Sequence, residues 1–432
     1  VKLALITAGA AGMFCGSCMH DNTLAAALQA QGHDAVLVPT YTPIRTDETD
    51  VSQSRVFFGG INVYLQQKSW LFRVTPWLFD RLLDVPRLLR WVSRFAGRMQ
   101  YHELGDLTVS MLKGSTGFQR KEVTKLVGWL GQHLQPQAIL LTNVLLSGMV
   151  PELKRQLRIP IIAELQGDDI FLEAIPAAHR QECLRLIAAN SAHLDGFFST
   201  SAYYADFMAG YLGVPREQIR VVYPGLNLRG HGGPKPARSG PLTIGYFARI
   251  CPEKGLHVLV DAFIHLRQRP GCPPYRLHIG GWLGENNQAF FAEQMRKLDA
   301  AGLRGDVAHL PAPDHAAKVQ FFHGIDVLSV PTTYREPKGL YLLEAWANGV
   351  PVVQPRHGSF PELIAATQGG VLVEPNDPVA LADGLAQLLH NEPLRTQLGT
   401  HGQAAVRERF DAASMARATV AELRRWVPED QP

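Results

Sequence analysis

Apolar residues in this chain fall into short continuous runs separated by longer stretches with helical spacing. Residues 2–7 (KLALIT) read as a buried strand, 8–18 as a loop rich in Gly, Ala and Cys, and 20–31 as a helix with Leu24, Ala27 and Leu28 on one face. Gly32 ends that helix, and AVLVPT at 35–40 is a second apolar strand. Strand, helix and strand, with both strands apolar throughout, specify a parallel βαβ unit, because a strand buried on both faces loses the alternation of polar and apolar positions. The same grammar returns at 138–145, 159–165, 195–200 and 219–223, which predicts one doubly wound sheet.

Beyond that sheet the pattern breaks. Residues 229–241, RGHGGPKPARSGP, carry four Gly and three Pro with no apolar periodicity, the composition of an interdomain hinge. The first domain is taken to end at 230 and the hinge proper to span 231–241. Strand candidates then follow at 242–248, 276–280, 306–310, 326–331, 351–354 and 370–373, separated by helical patterns. The fold class predicted is α/β: two doubly wound, Rossmann-like domains, the second over 242–410, facing a cleft. An amphipathic helix in 411–432 comes after the second sheet is complete, so it is free to cross back to the first domain.

Composition narrows the function. A chain of 432 residues, 46% hydrophobic and 19% charged, is a globular protein with room for two large domains or three small ones. Forty-two basic against 39 acidic residues leave a net charge of +3, too balanced for a nucleic-acid binder. No stretch approaches the run of about 18 apolar residues that a spanning helix needs. The start resembles a signal peptide superficially, but its continuation into a strand, glycine loop, helix and second strand fits a domain better. Five cysteines, an odd and sparse set, argue against a disulfide framework and for a reducing compartment, the cytoplasm by default.

Residues 66–100 do not follow the alternation. Lys68, Arg73, Arg81, Arg87, Arg90, Arg94 and Arg98 face only Asp80 and Asp84, with Trp70, Trp77 and Trp91 interleaved. Such an insertion suits either a lid packed on the first domain with solvated arginines, or a surface for an anionic bilayer or an acidic or lipid-linked acceptor. The second account would make the protein peripheral at the inner face of the membrane.

The densest chemistry lies at 335–355, REPKGLYLLEAWANGVPVVQP, where Glu336 and Glu344 stand eight apart on either side of a helix start. Pro337 suits the first helical turn. Gly339 lets the backbone approach a ligand, and the N–H groups of Lys338, Gly339 and Leu340 form an anion site at the helix N-terminus that a diphosphate fits. Glu344 can accept two hydrogen bonds from vicinal hydroxyls, as a carboxylate does with a ribose. Glu336 sits closer to whatever the phosphate carries. In GYFARICPEKG, Arg249 and Lys254 lie five apart around a turn, able to grip one phosphate and to stabilise a leaving diphosphate without a metal. The plainer account pairs Arg249 with a neighbouring carboxylate and leaves Lys254 in solvent.

Together these residues resemble the retaining glycosyltransferases of the GT-B fold, family 4. The match is the Glu-x7-Glu pattern over 336–353, with GSFPELI at 358–364 after it and the Arg249/Lys254 element before it. The likeness extends more weakly over nearly the whole chain. It implies a nucleotide-sugar donor held by the second domain, with Arg249 and Lys254 on the diphosphate, Glu344 on the ribose and Glu336 on the transferred sugar. It also implies hexosyl transfer to a hydroxyl acceptor, with retention of configuration, no protein nucleophile, no metal and no other cofactor. Two places depart from the family pattern. Where many members carry a Gly-Gly loop, this chain has GMFCGSCMHDN at 12–22, with Gly16 and Ser17 in the loop's place and His20 or Asn22 nearby. Where many carry a histidine after a middle strand, AELQGDD puts Gln166, which makes Asp168 or Asp169 the candidate for orienting the acceptor.

Other readings stay open at this point. Cys15 and Cys18 form a CxxC, a redox pair or half a metal site elsewhere, but no second pair accompanies them and His20 adds little; small residues packing a loop suffice. His357 falls after a strand, where ligands of open α/β sheets bind, or in a solvent-exposed turn. A sugar-nucleotide epimerase or hydrolase, or a non-catalytic sensor, would use the same architecture.

Overall fold

The computed structural model describes residues 1–9, 16–53, 56–58, 101–233, 240–312 and 314–427. The basic insertion at 66–100, Cys15 and the centre of the hinge segment lie outside the described residues. The chain divides into two compact units, Val1–Tyr223 with Met415–Pro432, and Pro224–Ser414.

The first unit is built on six parallel strands, β1 (Lys2–Thr7), β2 (Asp34–Pro39), β3 (Ala138–Leu141), β4 (Ile161–Leu165), β5 (Gly196–Ser199) and β6 (Ile219–Val221). Their order is β2-β1-β3-β4-β5-β6. The register places Leu5 beside both Leu37 and Leu140. Successive side chains leave a strand on opposite faces, so the apolar runs serve two cores at once. Ala4, Ile6, Ile139, Leu141, Ile161 and Ala163 pack into one. Leu3, Leu5, Leu140, Ile162 and Phe198 pack into the other, beneath Leu24 and Leu28 of the helix Gly16–Ala30. Met415, Ala416, Val420 and Leu423 of the last helix, Ala412–Leu423, join this second core within the first unit. Gly196 makes room for the segment that follows this helix: a Cβ there would sit 2.6 Å from the Trp426 ring.

The second unit holds β7 (Thr243–Phe247), β8 (Arg276–Gly280), β9 (Val307–Leu310), β10 (Val327–Leu328), β11 (Val352–Pro355) and β12 (Gly370–Val373). These are parallel, in the order β12-β11-β10-β7-β8-β9. Counted from β7 this is the doubly wound order, which reverses between β7 and β10; ligands bind beyond the carboxyl ends of the strands at such a reversal. The loop after β7 carries Arg249 and Lys254, and the segment after β10 carries Glu336. Topology alone therefore gathers them.

Two local expectations need correction. The loop expected at 8–18 gives way to helix at Gly16, so Gly16 and Ser17 occupy a first helical turn. Strand β10 is two residues long rather than six: Ser329 N–H still donates to the Gly245 carbonyl at 2.9 Å, and by Pro331 the chain lies against Gly255. A Cβ on Gly255 would sit 1.7 Å from the Pro331 carbonyl oxygen, and its φ of +74° is one that side chains disfavour.

Candidate active site

The site in the second unit is assembled by two loops that hold one another. After β7 the chain passes under Gly281, with Ile250 N–H donating to the Trp282 carbonyl at 2.8 Å, and enters the turn Pro252–Lys254. Thr333 N–H donates to the Glu253 carbonyl at 3.0 Å, tying that turn to the segment after β10. The Arg249 guanidinium, 38% exposed, donates to Glu253 Oε1 at 3.2 Å, the carboxylate pairing that the plainer account described. Lys254 does not fit that account. Its Nζ is largely buried and donates to Tyr334 Oη at 2.5 Å and to Glu336 Oε2 at 2.6 Å.

Glu336 is the hub. Its Oε2 also accepts from Tyr334 Oη at 2.6 Å and from Tyr341 Oη at 3.2 Å, while Oε1 accepts from the N–H groups of Lys338 and Gly339, both at 3.4 Å. Burial pushes the carboxyl pKa up, but the Lys254 charge and these donors outweigh it and hold the group at about 2. In the turn at 338–339 these two N–H groups thus face the chain's own carboxylate. Buried Lys338 and Gly339, the latter at φ +65°, lead into the helix Leu340–Ala347. The GSFPELI segment supports Glu336 from behind: Ser359 N–H donates to the Glu336 carbonyl at 2.8 Å, and Gly358 leaves no room for a side chain. His357 pairs with the Thr332 carbonyl at 2.9 Å, and burial lowers its pKa.

Glu344 lies in the second turn of that helix, 4% exposed, with Lys318 Nζ donating to its Oε1 at 2.7 Å. Sequence reading missed Lys318. The signal was present in the helix His315–His323, where Lys318 shares its face with Phe321 and Phe322, three and four residues on. One turn after Glu344, Asn348 donates to the Glu344 carbonyl and pairs with His231 Nδ1, each at 2.8 Å, and accepts from Gly232 N–H at 3.1 Å. Residues 231 and 232 of the expected hinge are therefore anchored to the second unit.

The first unit holds a separate polar cluster at the carboxyl ends of β1 and β4. Asp21 accepts from Thr7 Oγ1 at 2.7 Å and from Gln166 Nε2 at 3.0 Å, and Gln166 also donates to Glu164. His20 Nδ1 lies 3.4 Å from Asp21 and 3.7 Å from Glu164, all three residues being buried. Gln166 is thus a bridge between two carboxylates. Asp168 accepts the Val144 and Gln166 N–H groups at 3.0 and 2.9 Å, and burial raises its pKa to about 6. Tyr204 Oη donates to Asp169 at 2.5 Å. Gly16 is exposed and Ser17 half-buried. Asn22 is occupied in tying down residues 49 and 51.

Two family descriptions match the chain: "Glycosyl transferase 4-like domain" over residues 22–225 and "Glycosyl transferases group 1" over 233–405. The chain belongs to the group 1, family 4-like glycosyltransferases of the GT-B fold. It is similar to a D-inositol 3-phosphate glycosyltransferase of Corynebacterium diphtheriae, 27% identical over 79% of this chain and 84% of that one. A putative colanic acid biosynthesis glycosyltransferase of Escherichia coli is 34% identical over 42% of this chain and 45% of its own. In fold it is similar to sucrose-phosphate synthase from Thermosynechococcus elongatus, with a TM-score of 0.71, 19% identity and 98% of each chain covered. Anabaena HepE, solved in complex with UDP, follows with a TM-score of 0.68, 16% identity and 98% and 99% coverage. Among the described residues no helix is long and apolar enough to cross a membrane.

Proposed function

We propose that this protein is a retaining, metal-independent glycosyltransferase that moves a hexosyl group from a nucleoside-diphosphate sugar to a hydroxyl acceptor. The observation that carries the proposal is the pair Glu336 and Glu344, one before and one within a single helix at the strand-order reversal, each buried and each held by a lysine from another element. The HepE complexes with UDP and with UDP-glucose and the names of the relatives support a nucleotide-sugar donor.

In this reading Glu344 takes the ribose hydroxyls, while Arg249 and Lys254 face the diphosphate, with Gly339 and Leu340 at the helix start beside it. Arg249 is available at little cost, since a half-exposed ion pair such as Arg249–Glu253 contributes only about 0–1 kcal/mol. Lys254 supplies charge to the leaving group and keeps Glu336 ionised. A carboxyl held near pKa 2 cannot act as a general acid at neutral pH. Glu336 instead presents a fixed negative charge to the sugar, which suits an oxocarbenium-like transition state. The departing phosphate oxygen then accepts the acceptor's proton on the same face, and positive side chains do the work a divalent ion does elsewhere.

The test is nucleoside diphosphate release from a panel of nucleotide sugars offered to hydroxyl acceptors in EDTA, with the product anomer assigned by NMR. Turnover in EDTA with the donor's anomeric configuration kept supports the proposal. A strict metal requirement or an inverted product refutes the finer part of it.

A further inference from the structure

Lys318 and Glu344 come from two helices, 26 residues apart in sequence, and are 3% and 4% exposed, with Nζ and Oε1 2.7 Å apart. Around Glu344 the helix is apolar: Leu342, Leu343, Ala345 and Trp346 are fully buried. Folding stability does not explain a charge pair there, because apolar replacements of a buried ion pair are commonly neutral or stabilising. Its chemical consequence does. A carboxylate beside an ammonium keeps its charge, and an ionised carboxylate is a pure acceptor, the form that vicinal hydroxyls require. The direct bond also selects one rotamer of a side chain that otherwise has several, and Asn348 fixes the backbone carbonyl of the same residue. Finally, the pair is neutral in sum, so the glutamate adds no net negative charge beside a diphosphate.

We propose that Lys318 is a positioning residue for the nucleotide: it presents Glu344 to the ribose already ionised and already oriented, and so sets the preference for ribose over deoxyribose. This rests on the nucleotide-sugar reading of the same site.

The experiment is calorimetric titration of the full chain with UDP, GDP and ADP, each beside its 2′-deoxy counterpart. The wild type is expected to prefer one ribonucleotide over its deoxy form by about tenfold or more, the effect of one hydrogen bond to a charged group. Lys318→Met should abolish most of that preference and Lys318→Arg should retain it. Lys318→Gln, which keeps a donor without the charge, should lower it even if Lys318→Met fails to fold. With saturating donor, turnover of Lys318→Gln should fall less than kcat/KM, a split that general loosening of the fold does not produce. A wild type that discriminates, with a Lys318→Gln variant that discriminates equally, overturns the role of Lys318 alone. A wild type that binds none of the three diphosphates overturns the nucleotide reading and this inference with it.

Discussion

Lys254 Nζ stands 2.6 Å from Glu336 Oε2, joining the loop after β7 to the segment after β10 across the point where the strand order reverses. Both side chains are largely buried, so neither can be removed without leaving its partner short of a charge. The consequences differ for the two residues.

Glu336→Gln removes the negative charge while keeping the size. Turnover should drop by about a hundredfold or more, as when one electrostatic group aimed at a transition state is lost. Because the folded pKa of about 2 lies below the ordinary carboxylate value, the ionised group contributes stability above about pH 4.5 that is lost as the pH falls towards 2. Unfolding curves across that range should therefore be steeper in pH for the wild type than for the variant. Parallel curves would count against the ionised Glu336.

Arg249 and Lys254 should separate stability from catalysis. Arg249→Ala is expected to change the unfolding free energy by no more than about 1 kcal/mol, since its pair with Glu253 is half-exposed. It should nevertheless lower kcat/KM by about a hundredfold if the guanidinium meets the leaving group. Lys254→Ala should cost both, because it strips Glu336 of its counter-charge. Steady-state kinetics with unfolding midpoints on the same preparations check this, and a fully active double variant would refute the assignment.

Gly358 tests whether the support behind Glu336 matters. A Cβ there would meet the Glu336 backbone nitrogen and oxygen at 2.6 Å, on a residue whose φ is +61°. Gly358→Ala should destabilise the protein by about 2 kcal/mol or more and reduce turnover, since Glu336 must shift. Gly32→Ala is the control, also at positive φ (+83°) but with nothing within 4 Å; it should cost about 1 kcal/mol and leave turnover intact.

Asp168 carries a pH signature of the opposite sign. Burial raises its pKa to about 6, so its contribution to stability is full below about pH 4 and is lost as the pH rises through 6. Asp168→Asn lacks this titration, and its amide turns one donor towards a backbone N–H. The stability of the wild type relative to Asp168→Asn should rise as the pH is lowered from 7 to 4. A difference between the two that stays constant would show that Asp168 does not titrate there.

The fold was legible because parallel strands buried on both faces announce themselves as apolar runs, and because the Glu336/Glu344 spacing with GSFPELI after it resembles the pattern of a known family. Side-chain partnerships were not. Lys318 and Glu344 meet across two helices, and Gln166 reaches Asp21 from 145 residues away, distances over which residue patterns carry no information about pairing. Gly16 illustrates a third limit: a Gly-Ser-Cys stretch reads as loop by propensity, yet it opens a helix whose Leu24 and Leu28 are held in the core.

The central claim is that the second unit binds a nucleoside diphosphate through Glu344 and Lys254. Thermal unfolding in EDTA against UDP, GDP, ADP, CDP and dTDP tests it most directly, since a ligand at about 100 times its dissociation constant adds about 2.7 kcal/mol of stability. The account predicts a clear upward shift with one diphosphate, lost in Glu344→Gln and weakened in Lys254→Ala. No shift with any of the five, or a shift that both variants retain in full, would contradict it.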